Sequence, residues 1–152
     1  MILGVGTDFI EKKRVEKILK KYGDRFINKI LSDSEKKNFS SIDKTKKVNF
    51  LTSAFSSKES FVKALGTGFR EIYPRDISII KNKSGKPSIQ CDLIRDYKAH
   101  LSVTNDEKYT LSMVIIEKWR LSFWECREQA REHKLNLLKL ITAFLAYLQE
   151  QF

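Results

Sequence analysis

LTSAFSSKESFVKALGTG, residues 51–68, is the stretch from which the rest of the chain can be read. At helical period Leu51, Ala54, Phe55, Val62 and Leu65 share one side and predict a core-facing helix. Gly66 and Gly68 come just past the last turn, where glycine ends a helix. Lys58 interrupts the apolar stripe, Glu59 borders it, and Lys63 follows one turn after Glu59 on the same side. Periodicity alone predicts a surface Glu59–Lys63 pair, with Lys58 snorkelling its amine to water. The alternative is a site.

The 152 residues suit one domain with room for a proper core. A composition of 41% hydrophobic and 32% charged residues is that of a soluble globular chain. No apolar run reaches the length that spans a bilayer, and the first residues read as a strand, not as a secretion signal. Cys91 and Cys126 make neither a disulfide framework nor a CxxC pair, which predicts a reduced, cytoplasmic setting. His100 and His133 are too isolated for a zinc site. The net charge of +10 implies an acidic partner, whether nucleic acid, anionic membrane or acidic protein.

Ahead of the central helix, Ile2 to Thr7 reads as a strand whose Gly4 and Gly6 leave the backbone open to close approach. Asp8 stands where that strand gives out, and it suits either a ligand-facing carboxylate or the N-cap of the helix that follows. This helix, Glu11 to Phe26, puts Val15, Ile18, Leu19, Tyr22 and Phe26 on one face and Arg14, Lys17, Lys21 and Arg25 on a stripe beside it. A charged stripe is usually the solvated face of a helix, yet four positives in line with no acid among them read as a docking surface. Residues 27–50 are polar and lysine-rich, with a short helix signalled near Ser34–Phe39 and Ser32 or Ser34 as its cap.

Beyond the central helix, Pro74 keeps Phe69–Arg75 a loop. Asp76–Ile80 and Pro87–Cys91 alternate as strands of a hairpin whose turn places Gly85 at positive φ. Asp92–Ala99 is expected as a short helix, and Leu101–Thr104 and Tyr109–Glu117 as a second hairpin around Asn105–Lys108. Tyr109, Leu111, Met113 and Ile115 line one face of the last strand, while Val114 and Ile116 imply that its other face is covered as well. Helices mixed with antiparallel hairpins make the fold α+β. From Leu135 onward, Leu137, Leu138, Ile141, Phe144, Leu145, Leu148 and Phe152 form a broad apolar helical stripe. It is expected to pack on protein and not on a membrane, because few cations accompany it.

Two motifs give the chain a family likeness. Gly4-Val5-Gly6-Thr7-Asp8 reads G-x-G-x-D, and Phe55, Lys58, Glu59, Lys63, Ala64, Gly66 and Gly68 read F-x-x-K-E-x-x-x-K-A-x-G-x-G. In this order, in a chain of this length, they resemble the holo-acyl-carrier-protein synthases, the small 4′-phosphopantetheinyl transferases. The likeness covers residues 1–118 as a transferase domain and leaves 119–152 as a C-terminal helical extension. It implies antiparallel hairpins packed on a long central helix, and a homotrimer with active sites at the subunit boundaries. The implied activity is Mg²⁺-dependent transfer of 4′-phosphopantetheine from coenzyme A to a serine of an acidic apo-acyl carrier protein, serving fatty acid synthesis.

Hard oxygen ligands suit Mg²⁺ beside a pyrophosphate, and the resemblance assigns that role to Asp8 and Glu59. Lys58 and Lys63 would supply charge to phosphate oxygens, with Lys63 neutralising or protonating the leaving group. Either Glu59 or a water on the metal would take the serine proton. Coenzyme A contacts are implied at Lys58, Lys63, Gly66, Gly68, Lys86, Pro87, Ser102 and Thr104. Gly85-Lys86-Pro87 also reads as a good turn and nothing more, and Ser102 and Thr104 as ordinary strand hydroxyls. Arg14, and by charge Lys17, Lys21 and Arg25, would dock the carrier protein.

Two positions depart from the family pattern. Where arginine is common, shortly before the family's Ala/Ser pair, this chain has Ala54. The histidine that ends H-x-S-x-S/T-H is Asn105, after His100-Leu101-Ser102-Val103-Thr104. These departures support a rival reading, an inactive member that binds carrier protein as a scaffold. The net charge supports another, a nucleic-acid-binding module, although the sequence holds no zinc-finger, RNP or helix-turn-helix spacing.

Overall fold

The computed structural model describes residues 1–94 and 97–118. The apolar stripe expected within 119–152 lies outside the described residues. Strand β1 (Ile2–Glu11) leads into helices α1 (Lys12–Tyr22), α2 (Asp24–Ile30), α3 (Asp33–Ser41) and α4 (Lys44–Leu65). A 3₁₀ turn at Pro74–Asp76 precedes β2 (Ser78–Lys81), β3 (Pro87–Gln90), β4 (Tyr97–Asn105) and β5 (Tyr109–Lys118). The strands form one antiparallel sheet in the order β1-β5-β4-β3-β2, covered on one face by α4. This is the expected α+β arrangement.

Gly4 and Gly6 decide how α4 meets the sheet. A Cβ on Gly4 would lie 1.9 Å from the Ala64 carbonyl oxygen, and one on Gly6 would lie 2.1 Å from that of Ser60. Only bare backbone in β1 lets the backbone of α4 come this close. Small side chains complete the seam, since the hydroxyls of Ser56 and Ser60 reach that of Ser112 at 2.7 and 2.5 Å. The glycines leave the backbone open to close approach, as expected. What approaches is α4 itself.

The central helix is buried on two sides, so its apolar positions do not form a single stripe. Leu51 and Ala54 join Ile10, Val15, Ile30, Leu31 and Phe39 in a core among the helices. Phe61, Val62 and Ala64 pack against Leu101, Val114 and Ile116 of the sheet. Phe55 and Leu65 are half-buried, whereas Phe61, which the stripe omitted, is buried. Each fully buried side chain of this size contributes about 1.5–3 kcal/mol.

Several boundaries differ from expectation. Strand β1 does not stop at Asp8 but runs to Glu11, because Asp8, Phe9 and Ile10 continue its pairing with β5. Asp8 is therefore no helix cap. The helix expected from Glu11 to Phe26 breaks at Gly23, whose φ of 49° turns the chain into α2. The short helix expected over Asp92–Ala99 is overturned at its end, because Tyr97, Lys98 and Ala99 pair with Lys118, Glu117 and Ile116 in β4–β5. In the last strand Val114 and Ile116 are covered as expected, and it is the other face that lies open. Thr110, Ser112, Val114 and Ile116 face α4, while Tyr109, Leu111 and Met113 are exposed with Val5 and Phe9 on the open face.

Candidate active site

Alternation along β1 puts Gly4, Gly6, Asp8 and Ile10 on the face that α4 covers. The helical period brings Glu59 and Lys63 to the rim of that contact, one turn apart. The close seam then joins the two elements chemically. The Lys63 ammonium donates to Asp8 Oδ1 at 2.9 Å and to the Thr7 carbonyl at 3.2 Å. Lys63 is 47% exposed and Asp8 14%, so the pair sits at the surface with its carboxylate turned inward.

Asp8 Oδ2 is buried and accepts no hydrogen bond. Glu59 is half-buried, and burial pushes its carboxyl above the ordinary value. The Lys63 charge opposes that shift, and the Asp8 charge reinforces it. Asp8 thus pairs with a partly exposed ammonium whose charge Glu59 also feels, and a hard oxygen is left over. A divalent cation fits this set. Among the described residues no group of three His, Cys, Asp or Glu side chains converges, so an ion here would take two protein carboxylates and complete its shell with water and phosphate. Mg²⁺ is commonly bound in that manner.

The other expected site residues fall at several distances from this cluster. Gly66 and Gly68 follow α4 at φ 77° and 60°, and their N–H groups close the helix on the carbonyls of Lys63 and Val62. Neither has an atom within 4 Å of where a Cβ would stand, which leaves the backbone open to a bound molecule. Lys86 is exposed in the turn between β2 and β3, beside Pro87, with Gly85 at φ 81° as expected. Among the described residues no hydrogen bond joins that turn to Asp8, Glu59 or Lys63. Ser102 and Thr104 stand opposite Met113 and Leu111 on the open face of the sheet, the reverse of the face that holds Asp8. Arg14, Lys17 and Lys21 on α1 and Arg25 on α2 are exposed and form no ion pair among the described residues.

Lys58 is a correction. It was expected either to snorkel or to reach a phosphate, and it does neither. Its side chain is fully buried, and the ammonium donates to Glu35 Oε2 at 2.5 Å and to the Ile30 carbonyl at 2.7 Å. Burial lowers its pKa, and the neighbouring Glu35 carboxylate opposes that fall. Burial keeps its ammonium out of reach of a ligand from solvent.

The two family departures are accommodated differently. Ala54 is part of the core among the helices. Asn105 is exposed, and its Oδ1 accepts hydrogen bonds from Thr110 at 2.7 Å and Ser53 at 3.2 Å. Glu35 escaped the sequence reading, although Ser32-x-x-Glu35 is a capping-box spacing and forms that box here. The hydroxyl seam of Ser56, Ser60 and Ser112 carried no signal beyond the small size of its residues. A cavity of about 600 Å³ lies beyond the end of α4, lined by Leu3, Leu65, Ile72, Ile94 and Tyr97 among others. Among the described residues its one charged lining residue is Glu71.

Known proteins of one family resemble the chain in sequence and fold. The model of the 4′-phosphopantetheinyl transferase superfamily matches residues 4–123. The holo-[acyl-carrier-protein] synthase of Oceanobacillus iheyensis is 36% identical over 117 residues, which span 77% of this chain and 98% of that protein. The enzyme of the same name from Wolbachia pipientis is 42% identical over 127 residues, 76% of this chain and 98% of its own. Among solved structures, a Bacillus anthracis holo-(acyl-carrier-protein) synthase in complex with CoA (3′,5′-ADP) superposes with a TM-score of 0.72 at 30% identity, covering 78% of this chain and 99% of that one. The Neisseria meningitidis enzyme gives 0.71 at 34% identity, covering 78% and 100%.

Proposed function

The chain belongs to the 4′-phosphopantetheinyl transferase superfamily, among its holo-acyl-carrier-protein synthases, and on that premise we propose that it moves 4′-phosphopantetheine from coenzyme A to a serine of apo-acyl carrier protein, serving fatty acid synthesis. One observation carries the reading to named residues: a buried Asp8 oxygen without a hydrogen-bond partner, on the carboxylate that Lys63 contacts and whose charge Glu59 feels. Asp8 and Glu59 would hold Mg²⁺, which when bound offsets the charge of a pyrophosphate. Lys63 has its ammonium partly in solvent and can donate to an oxygen of the departing nucleotide. The reaction forms a bond from the serine oxygen to the phosphorus of the phosphopantetheine group. It breaks the P–O bond of the pyrophosphate and releases 3′,5′-ADP, while the serine proton passes to Glu59 or to solvent.

We read the assembly as a homotrimer. Val5, Phe9, Leu111 and Met113 expose a continuous apolar sheet face, with the Phe9 and Tyr109 rings stacked at 4.8 Å. Surfaces of this kind are commonly buried against another chain. A second copy seated there would meet Ser102 and Thr104, which lie on the same face, and could receive them at its own Asp8–Glu59–Lys63 cluster. The cations Arg14, Lys17, Lys21 and Arg25, unpaired among the described residues, suit an acidic carrier protein, and half-buried Cys91, in no disulfide among the described residues, suits a reducing cytoplasm. No helix of the described residues is long and apolar enough to cross a membrane.

The test mixes the protein with coenzyme A, Mg²⁺ and apo-acyl carrier protein and weighs the carrier by mass spectrometry. A gain of one phosphopantetheine is expected, abolished by EDTA and by Glu59→Ala. No gain with the carrier still bound would leave a scaffold. Neither gain nor binding would overturn the reading and return attention to nucleic acid.

A further inference from the structure

The Lys63 side chain is held at both ends. A Cβ on Gly6 would stand 3.0 Å from that of Lys63, so the stem leaves α4 directly over the bare backbone of β1. Its ammonium ends on acceptors from two consecutive residues, the Thr7 carbonyl at 3.2 Å and Asp8 Oδ1 at 2.9 Å. Thr7 and Asp8 are fixed in turn by their pairing with Met113 and Ser112 of β5. An ammonium carries three N–H donors, and with two committed here the third is left for the half of the side chain that meets solvent. The Asp8 carboxylate is divided in consequence. Oδ1 is taken, while Oδ2 is buried and without a partner. Glu59, one helical turn before Lys63, feels the charges of both.

Divalent ions differ in what they ask of such a cluster. Mg²⁺ keeps several waters and takes few carboxylate oxygens, whereas Ca²⁺ gathers about six to eight oxygens and often takes both from one carboxylate. We propose that Lys63 is a specificity-determining residue for the ion: by holding Oδ1 it leaves Asp8 a single oxygen to give, and the cluster favours Mg²⁺ over Ca²⁺. The inference rests on the cation site proposed above. Lys63 acts on the ion through Asp8 and is in this respect a positioning residue, while its third N–H remains for the departing nucleotide.

Lys63→Met keeps a stem over Gly6 and removes the ammonium, which frees Oδ1. Thermal melts across a series of MgCl₂ and CaCl₂ concentrations, without coenzyme A or carrier, give a dissociation constant for each ion. Their ratio does not move with a simple loss of stability. Both ions are expected to bind the variant more tightly, because a nearby positive charge is gone, and Ca²⁺ to gain about tenfold more than Mg²⁺. Infrared spectra of the carboxylate stretches with Ca²⁺ are expected to show a two-oxygen signature in Lys63→Met beyond that of wild type. An unchanged ratio would overturn the proposal, and so would identical carboxylate spectra of the two proteins. A wild-type Tm that responds to neither ion would overturn the cation site and this inference with it. A wild-type protein that binds the ions but transfers nothing would overturn the transfer activity alone, and the ratio would still decide the role of Lys63.

Discussion

Lys58 and Lys63 stand on the same helix, each against a carboxylate, and the two pairs are built to opposite ends. Around Lys58 every polar atom is matched, the ammonium by Glu35 and the Ile30 carbonyl, the carboxylate by three donors. Around Lys63 the matching is incomplete. Asp8 Oδ2 is, among the described residues, the one buried side-chain polar atom without a partner. Buried polar groups are nearly always satisfied, and a lone exception beside a second carboxylate is what supports the proposed cation there. A saturated charge cluster holds the chain together, whereas an unsaturated one is ready for a ligand. Residue type does not separate them. The count of partners does.

The contrast is broken most severely by removing what the unsaturated cluster offers. Glu59→Ala and Asp8→Asn are each expected to lower carrier modification by about 10³-fold, with urea midpoints close to that of wild type. Lys58→Ala should do the reverse. It leaves Glu35 buried without its counter-charge, at a cost of about 3–5 kcal/mol, read as a lower urea midpoint. The double variant Lys58→Met with Glu35→Gln, which removes both charges, should recover much of that loss. A Lys58→Ala protein of wild-type stability and no activity would put Lys58 in the site and dissolve the distinction.

How much of this could be read beforehand follows from the same difference. The G-x-G-x-D strand and the K-E-x-x-x-K helix were visible because their spacings are local, and the structure pairs Asp8 with Lys63 and sets Glu59 within their field, a meeting that only the family resemblance implied. Lys58 was misplaced because its partner lies on α3, far away in sequence, and no helical period can reveal a tertiary ion pair. The faces of β5 misled for another reason. Tyr109, Leu111 and Met113 are as apolar as a core face, yet one chain leaves them exposed while the serine and threonine on the reverse side are buried. Small hydroxyls were chosen there for the close approach of α4, and hydrophobicity alone carries no record of that. The break at Gly23 was legible in principle, since a glycine there interrupts an otherwise good helical run.

Gly6→Ala tests whether the unsaturated cluster depends on the seam beneath it. The added methyl meets backbone on α4, which cannot yield as a side chain would, so a loss of about 1–3 kcal/mol is expected together with lower activity as Asp8 and Lys63 separate. Gly85→Ala, strained only by its positive φ in an open turn, should cost about 1 kcal/mol. Equal effects of the two would mean that the seam does not set the site. Mg²⁺ should separate the clusters more gently still. At tenfold over its dissociation constant it would stabilise the protein by about 1.4 kcal/mol, a rise of a few degrees in Tm that Glu59→Gln should abolish and Glu35→Gln should keep.

The smallest effect comes from pH. Burial raises the Glu59 carboxyl above the ordinary value of 4.5, so between 4.5 and that higher value the folded, metal-free protein binds more protons than the unfolded chain. The contribution of Glu59 to stability is then fully present below 4.5 and is lost as pH rises through the folded value. Glu59→Gln, neutral throughout, should flatten that part of the stability profile. Mg²⁺ binds the ionised carboxylate and should reverse the slope, so that in its presence stability and transfer both increase with pH across the same window. Urea titrations at a series of pH values, with Mg²⁺ and with EDTA, check the sign directly. If the slope keeps one sign in both conditions, the raised carboxyl of Glu59 and the metal are not coupled, and the orphaned oxygen of Asp8 would need another explanation.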